Sequence, residues 1–141
     1  MKMKKNKFLD NLGLKRKEYG TNWCIEKKTK RAKSWKKQRK LYGFDSRECW
    51  NLNTTFVEWL YSHLMLYKKE AAQVVDLEYH KFDFNGKTYT QKECINIILK
   101  ACKRYLLVDE ISEDKEKMAK IEKDMEDAIK LFADMLPCMW W

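Results

Sequence analysis

Apolar residues along this chain fall into three stretches with the period of a helix and one with the period of a strand. Phe56, Leu60 and Leu64 recur every four residues beside Val57, Tyr61 and Met65. That spacing predicts a core helix over about 54–70, with Asn53 placed to cap it. Cys94, Ile98, Ala101, Cys102 and Tyr105 line one face of a second helix, expected over about 91–107. Thr90-Gln91-Lys92-Glu93 opens it as a capping box. Met118, Ile121, Met125, Ala128, Phe132 and Met135 follow the spacing of a helix that packs lengthwise on another. That third helix is expected over about 113–136, with Ser112 as its cap and Pro137 beyond its end. Between Val74 and Thr90 the period falls to two: Leu77 and Tyr79, then Phe82 and Phe84, alternate with polar residues up to Asn85-Gly86. Asn-Gly between alternating runs predicts a type I′ hairpin, here over about 77–89, because both residues tolerate positive φ.

The first third of the chain reads differently. Residues 1–22 are polar and basic, interrupted by Gly13 and Gly20, and suggest a loose arm. Ile25 to Tyr42 contains good helix formers and stops at Gly43, a natural C-terminal cap. Its apolar residues, Ile25, Ala32, Trp35 and Leu41, are too sparse for a broad core face. Asp45-Ser46-Arg47-Glu48 reads as a second capping box, opening a short turn that would present Cys49, Trp50 and Leu52 inward. The expected architecture is α+β, mainly α: a helical bundle of three core helices with a short β-hairpin, preceded by a basic helix. The expected division is a basic arm and helix over 1–42 and a globular helical domain over 43–141.

Charge sharpens that division. Residues 1–42 hold 16 Lys or Arg against Asp10, Glu18 and Glu26, whereas residues 43–141 hold 14 basic side chains against 18 acidic ones. The net charge of +9 therefore belongs to one end of the chain, which points to an anionic partner. Lys27, Lys28, Lys30, Arg31, Lys33, Lys36, Lys37, Arg39 and Lys40 surround Trp35 on the expected helix. At about 100° per residue they spread around the cylinder as a charged rod suited to phosphate backbones. Trp35 would stack on a base or guard the attachment to the body. The plainer alternative is a solvated helix whose charge aids solubility.

Catalytic patterns are scarce. No Gly-rich phosphate loop, G-x-S-x-G or H-E-x-x-H occurs. The five cysteines are scattered without a C-x-x-C pair, and His63 and His80 lack metal-ligand spacing, so reduced, mostly buried thiols are expected, with no cofactor, metal or disulfide. Asp45, Glu48, Glu58 and His63 would serve a metal-dependent nuclease or hydrolase only if the fold gathered them; capping explains the first two more simply. No apolar run reaches the ~18 residues of a membrane span, and the charged start lacks the apolar stretch of a secretory signal, so a cytosolic location is expected. The final residues, Met135 to Trp141, are almost wholly apolar. Trp140 and Trp141 should fold back onto the body, meet a second subunit along the last helix, or, with Arg47, Trp50 and Trp59, build a pocket or interface.

From Gly43-Phe44-Asp45-Ser46-Arg47-Glu48-Cys49-Trp50-Asn51-Leu52-Asn53, through Leu77-Glu78-Tyr79-His80-Lys81-Phe82, to Leu131-Phe132 and the closing Trp140-Trp141, the chain resembles a group of small phage and prophage proteins without assigned activity. The resemblance covers roughly the last 100 residues and implies a viral setting, a bacterial cytoplasm and a protein that works by binding. Three functions follow as expectations. The first is a non-enzymatic binder of nucleic acid, including one that counters a host defence. The second is a sponge for a nucleotide signal, or an inhibitor of a host protein, acting through an aromatic pocket or oligomer interface. The third is the small hydrolase.

Overall fold

The computed structural model describes residues 30–108 and 114–140, and only the backbone of Lys30 and Arg31. The arm over 1–22, Lys27, Lys28, Ser112 and Trp141 lie outside the described residues. Among the described residues, four α-helices and one antiparallel hairpin follow in the order α1 (Lys30–Tyr42), a 3-10 turn (Ser46–Cys49), α2 (Leu52–Ala71), β1 (Lys81–Phe84), β2 (Lys87–Thr90), α3 (Gln91–Leu107), α4 (Lys115–Met135) and a second 3-10 turn (Leu136–Cys138). The fold is the expected α+β, mainly α. Its contacts form two compact units, Met1–Thr55 and Phe56–Trp141, so the charge boundary at residue 42 lies inside the first of them.

In the first unit α1 ends where the sequence marks it. Gly43 takes φ +81° and its N–H donates to the Arg39 carbonyl at 3.0 Å, a left-handed cap that a Cβ would strain. Asp45 then caps the 3-10 turn. Cys49, Trp50 and Leu52 do not turn inward as expected; all three are exposed, and Asp45 is buried in their place. The helix after the turn begins at Leu52, so Asn53 lies inside it, and the Asn51 carbonyl accepts the Thr55 N–H at 2.9 Å.

In the second unit, α3 lies alongside α4, and the hairpin rests on both. The buried face of α2 is Val57, Leu60, Tyr61, Leu64 and Ala71. Phe56 and Met65 sit at the two edges of that arc, which leaves Phe56 exposed instead of in the core. Gln91 Nε2 donates to the Tyr67 hydroxyl at 3.3 Å and Lys68 Nζ to Asn96 Oδ1 at 2.6 Å, joining α2 to α3. Burial first, and the neighbouring Cys102 second, push the Tyr61 hydroxyl above its ordinary pKa.

The hairpin turns at Asn85 (φ +50°) and Gly86 (φ +77°), as a type I′ turn requires. Its first strand begins at Lys81, not at Leu77. Asp76 Oδ1 accepts the Glu78 N–H at 2.8 Å and folds 76–79 into a turn. The Leu77 and His80 carbonyls then receive the Lys92 and Gln91 N–H groups. Those carbonyls thus serve the otherwise unpaired first turn of α3 instead of a strand ladder. The Thr90 capping box completes that end: Thr90 N donates to Glu93 Oε2 at 2.8 Å, and Glu93 N donates to Thr90 Oγ1 at 3.3 Å.

α3 buries Ile95 and Leu99 as well as the expected Cys94, Ile98, Ala101 and Cys102, a wide face for a helix touched from several sides. α4 is capped by Asp114, whose Oδ1 accepts the Lys117 N–H at 3.0 Å. It buries Ile121, Met125, Ala128, Leu131 and Met135; Leu131 takes the place expected for Phe132, which is half-buried. These five side chains are buried within the chain itself. Trp140 does not fold back: it is 76% exposed beyond the Pro137 turn. Among the described residues, no helix is long and apolar enough to cross a membrane.

Replacing Ile98, which has no exposed surface, by alanine should cost about 2–5 kcal/mol in urea unfolding. Gly86→Ala should cost about 1–2 kcal/mol, although nothing stands within 4 Å of the added Cβ, because the cost lies in its positive φ.

Candidate functional site

The basic helix has almost no apolar face to hold it, so charge and two aromatic rings do that work. Arg39 Nε donates to Asp45 Oδ2 at 2.7 Å, and its Nη2 donates to Glu48 Oε1 at 2.5 Å. From the other side Arg47 Nε and Nη2 reach Asp45 Oδ1 and Oδ2 at 2.9 and 2.8 Å, a two-pronged pair. The Arg47 backbone N–H also donates to Oδ1, at 3.0 Å. The Asp45 side chain is fully shielded from solvent between the two guanidinium groups. Burial alone would raise its pKa, but the Arg47 hydrogen bonds and the charges of Arg39 and Arg47 outweigh it and hold Asp45 below the ordinary value. The reciprocal capping box expected of Asp45 and Glu48 is therefore not formed. Charge-assisted bonds to the arginines take both carboxylates, and the Asp45 side chain caps Arg47 N.

Arg47 also lies 4.5 Å over the Trp35 ring, and Trp50 meets Trp35 edge-on at 5.9 Å. Gln38 Oε1 accepts the Ser46 N–H at 2.7 Å. Trp35 is thereby buried, which overturns its expected use as a base-stacking ring in favour of the attachment role. Arg39 likewise belongs to the internal ion pairs and not to an open binding surface.

The same anchoring sorts the lysines. At about 100° per residue, Lys33, Lys36, Lys37 and Lys40 fall within an arc of about 100°, and Trp35 and Arg39 point to the other side. All four lysines are exposed, and among the described residues none is in an ion pair. Among the side chains described, over 32–42, the lysines outside ion pairs thus share one side of the helix. The stripe is about 10 Å long. Its i,i+3 and i,i+4 neighbours repel one another, a cost that a polyanion would remove.

The other expected site residues stay apart in function. Trp59 belongs to the second unit, stacked on His63 at 4.2 Å, and His63 Nδ1 lies 2.7 Å from the Trp59 carbonyl. Clefts of about 420 Å³ and 250 Å³ beside α3 and α4 carry no tryptophan in their linings. Among the described residues, no three His, Cys, Asp or Glu gather as metal ligands. Cys94 and Cys102 are buried; burial pushes the Cys102 thiol up to about 12 and raises Cys94 as well. Cys49 is exposed and Cys138 half-buried, so burial holds for only some of the thiols. The chain matches no protein-family model, no curated protein and no solved structure.

Because the native pKa of Asp45 is depressed, its contribution to stability is complete above the unfolded value of about 3.9 and is lost as pH falls through the native one. Asp45→Asn should destabilise the first unit by about 1–3 kcal/mol at neutral pH and flatten that acid dependence, read by tryptophan fluorescence across a pH series. A thiol reagent at mildly alkaline pH should label Cys49 in the native protein and reach Cys94 and Cys102 only after unfolding, as mass spectrometry of peptides would show.

Proposed function

We propose that the chain is a non-enzymatic binding protein that holds nucleic acid along the Lys33, Lys36, Lys37 and Lys40 face of α1. The observation that carries this reading is the one-sided, ion-pair-free lysine stripe on a helix anchored by its opposite side. The excess of basic residues over 1–42 supports it, since each neutralised phosphate releases counterions. Of the carboxylates that a hydrolase would need, Asp45 and Glu48 are held by arginine. The resemblance to phage and prophage proteins fits such a binder acting in a bacterial host, where occupying nucleic acid would counter a host defence.

Four lysines on phosphates imply a salt slope, log K against log salt, of about −3 to −4 from this stripe alone on a duplex. Fluorescence anisotropy of the full chain with labelled DNA or RNA should show it. Replacing all four lysines by alanine should weaken binding at least about tenfold at moderate salt and remove most of that slope. Alanine favours the helix and relieves like-charge pairs, so unfolding would not mimic the loss. Unchanged affinity and slope would contradict the proposal.

A further inference from the structure

Within the second unit, α2 carries an apolar strip on the side away from its core. Phe56, Trp59, His63 and Leu66 recur at intervals of three, four and three residues and lie within an arc of about 80°. Phe56, Trp59 and Leu66 are 37%, 49% and 43% exposed, and His63 is exposed too. The rings are already ordered. Phe56 and Trp59 stack with centroids 6.4 Å apart and planes 19° apart; Trp59 and His63 stack at 4.2 Å and 24°. The contact between His63 Nδ1 and the Trp59 carbonyl fixes the imidazole within this ladder.

We propose that this strip is the interface between two copies of the chain, paired antiparallel through α2. Three features favour a second copy as the occupant. The interval pattern is the same read in either direction, so an antiparallel pair places Trp59 against the partner's His63 and Phe56 against the partner's Leu66. Self-complementarity of that kind is what a two-fold interface needs.

Area gives the second argument. At roughly 100 Å² of exposed surface apiece, the four residues bring about 800 Å² to a pair. Flanking Ser62 and Tyr67 raise that towards the ~1,200 Å² at the low end of stable interfaces. The result is a reversible dimer with an aromatic centre, where binding energy usually concentrates.

Charge gives the third. Residues 56–141 hold 13 Lys or Arg against 16 Asp or Glu, so the balance of this unit gives a polyanion no attraction, and none of the four strip residues is charged. Pairing would give one particle two lysine stripes, which raises avidity for a long polyanion without any new contact to it. The dimer is nonetheless independent of nucleic acid and should form without it.

Sedimentation velocity of the nuclease-treated full chain, in high salt with reductant across the micromolar range, tests this. Wild type should approach twice its 17.2 kDa mass as concentration rises. Trp59→Asp and Leu66→Asp, both at exposed positions and checked for fold by circular dichroism, should each weaken association at least about tenfold. Trp140→Asp should leave it unchanged. If one variant misfolds, the other still reads the interface. A monomer at every concentration would overturn the proposal, as would a dimer that survives both α2 variants or dissolves on Trp140→Asp alone.

Discussion

One carboxylate held between two guanidinium groups decides which side of the basic helix meets water. α1 buries little apart from Trp35 and has no broad apolar stripe with which to dock. The Arg39, Asp45 and Arg47 pairs supply the missing anchor, and the ring contacts of Trp35 with Arg47 and Trp50 close the remaining gap. A buried carboxylate costs several kcal/mol unless its lone pairs are satisfied, and here four donor contacts to Asp45 meet that cost. With that side fixed, Lys33, Lys36, Lys37 and Lys40 are left to solvent together. The exposed stripe follows from the buried pair.

The sequence made the local devices readable. Gly43, Asn85-Gly86 and the Thr90 box each act through neighbours within a few residues, and each appears where its residue types demand. The periodicity of α3 and α4 likewise placed most of their buried residues. What could not be read depended on reach. Asp45 and Glu48 have the spacing of a local box, but the side chain of Arg39, six and nine positions earlier, arrives first with a full charge. Leu77 and Tyr79 alternate like a strand, yet the Asp76 turn and the needs of the α3 N-terminus claim that backbone.

The candidate site was legible as a charge cluster and not as a face. Nine basic residues distributed over a helix look uniform until one side is taken; the i,i+4 spacing puts Trp35 and Arg39 on one side, but nothing within the helix marks that side as the one taken. A pair beyond the end of the helix, Asp45 with Arg47, defined it. The tryptophans show the same limit. Trp50 looked inward-facing and Trp140 looked bound to fold back, yet both keep much of their surface in solvent.

The central claim is that the anchored helix presents its lysines as a binding face. An NMR titration of the lysine side-chain ammonium signals with a short oligonucleotide tests it most directly. The account predicts that Lys33, Lys36, Lys37 and Lys40 shift together at low salt and return as salt rises. It predicts further that the Arg39 and Arg47 guanidinium signals stay in place, still held by Asp45. Shifts that bypass these four lysines, or that instead release the two arginines from Asp45, would contradict it.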